Sequence, residues 1–180
     1  MKHKGIIANP NCSTIIMVMA LKPIYDLAKI KRVIVSTYQA VSGAGKEGID
    51  ELDAQVRDHS EGREMTANIL PSASAEKHYP IAFNLIPQID VFCDNLYTKE
   101  EMKMVNETKK IMEDYEMRIT ATTIRVPVYR SHSESVNIEL EKEVDLGAMR
   151  EALAKLLFRM ILLSRNIRCR YILPKKTMFM

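Results

Sequence analysis

Cys12 is the residue whose surroundings in this sequence best suit covalent chemistry. It follows Asn9-Pro10-Asn11, which is typical of a turn, and it precedes an apolar run whose length suits a buried helix. The N-terminus of a helix offers unpaired N–H groups and a partial positive charge. Both favour a thiolate, and the N–H groups can stabilise an oxyanion on an attacked carbonyl. A small, buried, unreactive cysteine would fit the same pattern, and it is the commoner case.

Five further polar residues could take part in such chemistry, and each has an ordinary structural alternative. His132 lies in a polar loop, where a histidine of ordinary pKa can transfer protons at neutral pH. It could equally be a plain surface histidine. Arg125 interrupts a run of Thr, Ile and Val, so a buried guanidinium there needs an anionic substrate or a structural ion pair. Glu100 and Lys103 share a helix face, as a surface ion pair also would. Gln39 follows a predicted strand and could be a simple loop residue.

An α+β domain would have to position these side chains. The predicted strands cover 5–8, 32–37, 118–128 and 135–140, and the predicted helices cover 15–28, 46–57, 98–115 and 145–154. Thr98 and Glu101 form a capping box, Asp145 caps the last helix, and Pro23 should kink or split the first. We expect an α/β-like strand–turn–helix–strand start with Cys12 at the turn, an edge strand or extended segment over 81–91, and a mixed sheet flanked by helices.

Composition and charge argue against several classes of protein. The net charge is +3 and the charges are mixed, so no basic stripe indicates nucleic-acid binding. The three cysteines, Cys12, Cys93 and Cys169, form no Cys-x-x-Cys pair and fit no zinc spacing, so we expect no metal site and a reducing, cytoplasmic setting. The apolar run near the N-terminus is too short to span a membrane.

The order of these segments resembles the bacterial aspartate-semialdehyde dehydrogenases. The resemblance is carried by Asn9–Thr14, Val35–Gly45, Ile86–Asp90, Thr98–Met112, Arg125–Val128 and His132–Val136, and it covers roughly residues 5–155. It implies the catalytic and dimerisation domain of that family, which pairs through its sheet face into a homo-oligomer, a dimer or a tetramer.

The resemblance also implies a reaction and the residues that perform it. Cys12 would attack aspartyl 4-phosphate, expel phosphate and hold the acyl group as a thioester. NADPH would then reduce the thioester to aspartate semialdehyde, a precursor of lysine (through diaminopimelate), methionine and threonine. His132 would be the general acid/base, Gln39 would orient the acyl group, and Arg125 would grip the substrate carboxylate.

Further binding roles follow from the same resemblance. Glu100 would meet the substrate amino group, and Lys103 would bind the phosphate. Asn11, with the backbone around Ser13, would help to bind phosphate or an oxyanion. Ser42 and Gly43 match a loop that touches the nicotinamide cofactor, NADP.

Two departures from the family lead us to expect an incomplete enzyme. The chain begins almost at the nucleophile, so we expect the N-terminal Rossmann half and its glycine-rich fingerprint to be missing. The tail, 156–180, lacks acidic residues, and a shifted reading frame with permitted codons restores an acidic Tyr-Pro-Met-Pro-like stretch. We therefore expect an aberrant, frameshifted tail without designed structure. The alternatives to full turnover are a fragment that at most acylates at Cys12, or a Cys/His acyltransferase or hydrolase.

Overall fold

The described part of the chain, residues 5–166 of a computed structural model, contains four helices and three strands. They are, in chain order, α1 (Cys12–Ala28), β1 (Ile30–Gln39), α2 (Gly45–Ser60), α3 (Lys99–Met112), β2 (Arg118–Arg125), β3 (Ser133–Leu140) and α4 (Leu146–Asn166), with a 3₁₀ turn at Val41–Ala44 between β1 and α2. The predicted α+β class, a mixed sheet flanked by helices, is confirmed.

The three strands form one sheet in the order β2-β1-β3, with β1 parallel to β2 and antiparallel to β3. Side chains alternate between the faces of a strand, and from Val33 to Gln39 every second residue of β1 is buried. The parallel register pairs Gln39 with Arg125 at the ends of their strands, and both side chains are buried. The carboxyl edge of β1 and β2 therefore holds two buried polar side chains next to each other.

Helices α1 and α3 supply most of the core that covers this face of the sheet. Their shared cluster contains Met17, Leu21 and Tyr25 from α1, Met104 and Met112 from α3, and Val33 and Val35 from β1. Burying such side chains contributes about 1.5–3 kcal/mol each. This packing fixes both helices against the sheet, and with them the residues at their N-termini.

The start of α3 is fixed by the predicted capping box. The Thr98 hydroxyl accepts a hydrogen bond from the Glu101 N–H at 3.2 Å, and the Glu101 carboxylate accepts one from the Thr98 N–H at 2.8 Å. Glu101 also accepts from the Thr123 N–H of β2 at 3.1 Å. Glu100 is therefore held in the first turn of a helix that is anchored to the sheet.

Some predicted elements at the start of the chain are wrong. Residues 5–8 form no strand, and Ile6 and Ile7 are 92% and 71% exposed. A strand needs a hydrogen-bonding neighbour, and no described strand lies beside this segment, so the strand–turn–helix–strand start fails too. Pro23 does not split α1, which continues through it. Within 81–91 the backbone makes one isolated bridge, from Ile86 to Arg125, and a turn at 81–84, so this segment is neither an edge strand nor continuously extended.

The last helix continues further than its sequence pattern predicts. Asp145 caps it as expected, with its carboxylate accepting from the Ala148 N–H at 3.1 Å. The predicted end near Ala154 is wrong, because α4 continues to Asn166 and so enters the segment expected to lack structure. Residues 167–180 of the tail lie outside the described residues, and the frameshift remains a prediction. None of the described helices is long and apolar enough to cross a bilayer.

Candidate active site

Cys12 is the first residue of α1, and its side chain is exposed in a cavity of about 410 Å³. The preceding Asn11 caps the helix, because its side-chain oxygen accepts from the N–H groups of Ser13 at 2.9 Å and Thr14 at 3.1 Å. In this arrangement the Ser13 N–H is already occupied by Asn11. An oxyanion role for the Ser13 backbone would therefore require the Asn11 side chain to release it.

Glu100 connects the turn before Cys12 to the end of β1. Its Oε1 accepts hydrogen bonds from the Asn11 side-chain amide at 2.8 Å and from the Gln39 side-chain amide at 3.1 Å. The residue is only 6% exposed. A buried carboxylate needs such donors, so this contact holds three predicted site residues together.

Lys103 lies one helical turn after Glu100 and is flanked by two carboxylates. Its Nζ is 3.3 Å from Asp90 and 3.7 Å from Glu100. Burial lowers the pKa of Lys103, but the hydrogen bond to Asp90 and the attraction of Glu100 outweigh it, so its pKa lies above the ordinary value. The ammonium is therefore a stable cation that faces the cavity.

Arg125 is the buried cation of the site, at 3% exposure. Its Nη1 donates to the Ala40 carbonyl at 2.8 Å, while its Nε has no partner among the described residues. Burial lowers the pKa of Arg125, against the attraction of Glu100 and Cys12, yet a guanidinium stays protonated in proteins. A buried guanidinium with spare donors on a cavity wall suits a carboxylate ligand.

His132 lies beside Arg125, and its ring is oriented by the backbone of Ala40, the residue after β1. Its Nδ1 accepts from the Ala40 N–H at 3.0 Å, so in the neutral ring the proton is on Nε2, which becomes a donor. Burial and the charge of Arg125 lower the pKa of His132, against the attraction of Glu100. The imidazole is therefore neutral at pH 7, and its Nε2 can donate a hydrogen bond or a proton.

Gly43 leaves room for both of these side chains. A Cβ at this position would lie 2.6 Å from Nη1 of Arg125 and 3.2 Å from Cε1 of His132. Any larger residue would push against the pair. Gly43 was predicted only as a contact for the cofactor, and its role as a spacer could not be seen in the sequence.

The cavity brings together most of the predicted site and two acids that sequence reasoning missed. The predicted residues that line it are Asn11, Cys12, Gln39, Gly43, Glu100, Lys103 and Arg125. His132 and Ser42 do not line it, although His132 contacts the Gly43 wall from behind. The missed acids are Glu47 and Asp90. Asp90 has a positive φ of 67°, a loop conformation that no local signal in its segment indicates.

Comparison with known proteins identifies the family. The family model of the semialdehyde dehydrogenase dimerisation domain matches residues 21–171. The chain belongs to the semialdehyde dehydrogenase family. The aspartate-semialdehyde dehydrogenase of Aquifex aeolicus is 57% identical over 152 residues, covering 84% of this chain and 43% of that protein. The enzyme of Bacillus subtilis is 55% identical over 142 residues, covering 79% and 41%.

Solved structures of the same family share the fold. Aspartate semialdehyde dehydrogenase II of Vibrio cholerae, described as complexed with ASA, has a TM-score of 0.77 and 48% identity, and the match covers 84% of this chain and 43% of that one. A Candida albicans enzyme with NADP has a TM-score of 0.54 and 24% identity, covering 82% and 34%, which supports the fold alone. The chain thus spans under half the length of these semialdehyde dehydrogenases.

The described residues only partly suit the NADP of this family. The expectation that the chain has no glycine-rich fingerprint is wrong as far as spacing goes. Gly43 in the 3₁₀ turn and Gly45 and Gly48 in the first turn of α2 fit Gly-x-Gly-x-x-Gly after β1. Gly43 is exposed and lines the cavity. Glu47, however, places a carboxylate in the first turn of α2, which opposes a pyrophosphate there. These residues therefore do not complete a dinucleotide site.

Within residues 5–166, no three His, Cys, Asp or Glu side chains gather in a way that could hold a metal ion.

Glu134 of β3 has a half-buried carboxyl group that does not line the cavity. Its burial leads us to expect that the stability of the fold depends on pH. Neither of its oxygens has a partner among the described residues, and burial raises its pKa from 4.5 to about 7. The folded state binds this proton more tightly than the unfolded state, so the charged form destabilises the fold progressively between those pH values and fully above them.

We expect Glu134→Gln to raise the melting temperature near pH 8 by about 2–4 °C, the shift for roughly 1 kcal/mol after allowing for solvent screening. Near pH 4.5 the variant should match the parent chain in calorimetry. Glu139→Gln, at an exposed carboxylate of the same strand paired with Arg32 and Arg118, is the control. An equal gain at both pH values would contradict the assignment.

Proposed function

We propose that this chain performs the acyl-transfer step of aspartate-semialdehyde dehydrogenase, the NADP-dependent reductive dephosphorylation of aspartyl 4-phosphate to aspartate semialdehyde. The observation that carries the proposal is the cavity in which Cys12 lies at a helix N-terminus with Gln39, Glu100, Lys103 and Arg125 around it. The whole reaction is a proposal, because the matched relatives are more than twice as long as the matched segment.

The charges of the cavity suit an amino-acid acyl phosphate. Arg125 offers spare guanidinium donors for the α-carboxylate, and Glu100 offers a buried carboxylate for the α-ammonium group. Lys103 keeps its positive charge at neutral pH and suits the phosphate. Each substrate charge thus has an opposite charge on the cavity wall, which favours one orientation of the acyl carbon near Cys12.

The chemical step balances with the residues of this chain. The Cys12 thiolate attacks the acyl carbon, a C–S bond forms, and the bond between that carbon and the phosphate oxygen breaks, so that inorganic phosphate leaves and a thioester remains. Gln39 lines the cavity, and to orient the acyl oxygen its amide would exchange one of its hydrogen bonds, to Thr37 or to Glu100, for one to that oxygen. NADPH, when bound, would supply the hydride that reduces this thioester.

We assign the proton transfer of this reaction to His132. Its Nε2–H can donate to the oxygen that becomes negative, because its Nδ1 is occupied by the Ala40 N–H. The reverse transfer, removal of a proton by Nε2, would first require the ring to lose that proton. This tautomer favours the acid half of the proposed acid/base role, and His132 would have to reach the acyl group past Gly43, because it does not line the cavity.

Self-association is also proposed. The matched family model describes a dimerisation domain, which is consistent with a homo-oligomer. The outer face of the sheet carries exposed Ile34 and Tyr38 of β1, and we propose that it meets the same face of a second copy in a dimer or tetramer.

The proposal predicts a burst of phosphate when the chain meets aspartyl 4-phosphate. One phosphate per chain should be released quickly as Cys12 is acylated, and slow release should follow, since no hydride removes the acyl group. Cys12→Ser should abolish the burst, and Cys93→Ser, at the other described cysteine, should keep it. Steady release without a burst would favour an acyl hydrolase or acyltransferase, and no Cys12-dependent release would contradict the proposal.

A further inference from the structure

Glu107 is a third charged residue, after Glu100 and Lys103, on the face of α3 next to the turn before Cys12. It follows Glu100 by seven positions and Lys103 by four, so all three share one side of the helix. Its Oε2 accepts a hydrogen bond from the backbone N–H of Asn11 at 2.7 Å. Glu107 does not line the cavity, so it has no direct contact with a bound substrate there.

The backbone N–H, the side-chain amide and the side-chain oxygen of Asn11 all make hydrogen bonds at the start of α1. Its backbone N–H donates to Glu107 and its side-chain amide to Glu100, while its side-chain oxygen caps the N–H groups of Ser13 and Thr14. Two carboxylates of α3 therefore fix the residue immediately before Cys12. The backbone contact is the one that sets where the chain enters α1, because a side-chain contact alone allows the backbone to rotate.

We propose that Glu107 is a positioning residue for Cys12, acting through the Asn11 backbone. This inference rests on the proposed function in one respect, namely that Cys12 is the nucleophile. Without the Glu107 acceptor, the Asn11 N–H is left partly buried and unpaired, which costs free energy and loosens the turn. The Asn11 side chain, which caps α1, is then held by Glu100 alone, so the first turn of α1 and the Cys12 side chain on it are less firmly positioned.

The test compares Glu107→Gln with Glu107→Ala in the 180-residue chain. Both substitutions remove the negative charge, but the glutamine oxygen can still accept from Asn11, so their difference isolates the hydrogen bond. Cys12 alkylation by iodoacetamide is followed by peptide mass spectrometry, with Cys93 as the internal standard. Amide hydrogen exchange over residues 11–14 is measured on the same samples.

We expect Cys12 in the alanine variant to react about fivefold more slowly than in the glutamine variant, with Cys93 unaffected and faster exchange at residues 11–14. Rates and exchange in both variants that match those of the unsubstituted chain would overturn the proposal. So would a glutamine variant as impaired as the alanine variant, because the charge would then be the cause. Neither readout uses aspartyl phosphate, so the inference can stand even where the phosphate burst fails.

Discussion

Arg125→Lys is expected to slow acylation of Cys12 by aspartyl 4-phosphate about a hundredfold, or roughly 2.7 kcal/mol. A lysine ammonium is a single point charge and cannot reproduce the two parallel hydrogen bonds of a guanidinium to a carboxylate. The position is buried, so water does not compensate for the lost donors. The rate is measured as phosphate released in the burst at limiting substrate.

A matched pair of controls separates substrate binding from a general loss of reactivity. Alkylation of Cys12 by iodoacetamide, which has no carboxylate, should change less than about threefold in Arg125→Lys. Arg130→Lys alters an exposed arginine in the loop after β2 and should leave both rates unchanged. If Arg125→Lys slowed alkylation as much as acylation, Arg125 would act on the thiolate and not on the substrate carboxylate.

Glu100→Ala is expected to be the most damaging single change to the site. It removes the Glu100 acceptor from the side-chain amides of Asn11 and Gln39, of which Gln39 keeps Thr37 as an acceptor at 3.3 Å; each lost buried or half-buried hydrogen bond costs about 1–3 kcal/mol. We expect the melting temperature to fall by roughly 6–10 °C and the burst rate to fall by about a hundredfold or more.

Glu100→Gln distinguishes the network from the charge. Its amide oxygen can still accept from both neighbours, so stability should largely return, whereas acylation should stay slow because the carboxylate for the substrate ammonium is gone. Glu116→Ala, at an exposed acid just after α3, is the control and should be neutral. A Glu100→Gln variant with full acylation would contradict a role for Glu100 in binding the ammonium group.

The parts of the fold that follow local rules could be predicted from the sequence. The capping box of Thr98 and Glu101 fixes α3, and the Asp145 cap fixes the start of α4, because both depend on residues three positions apart. The predicted strand at 5–8 failed, since a strand depends on a neighbour elsewhere in the chain. The end of α4 was predicted too early, near Ala154. The helix continues to Asn166 because no helix-stop signal follows Ala154 before that residue.

The site could be predicted as a set of residues but not as an arrangement. Gln39 and Arg125 become neighbours only through the parallel register of β1 and β2, which no local pattern encodes. The orientation of His132 depends on the Ala40 N–H, and the contact of Asp90 with Lys103 depends on a left-handed loop residue. These are tertiary contacts, and they decide which tautomer faces the site and which charges flank the phosphate position.

Acylation of Cys12 is tested by locating the acyl group after brief exposure of the chain to aspartyl 4-phosphate. The protein is quenched in acid, digested and mapped by mass spectrometry, with hydroxylamine treatment to identify a thioester. We expect one aspartyl group per chain, on Cys12, released by hydroxylamine and absent from Cys12→Ser. An unmodified Cys12, or an acyl group spread over Cys93 and lysines, would contradict it.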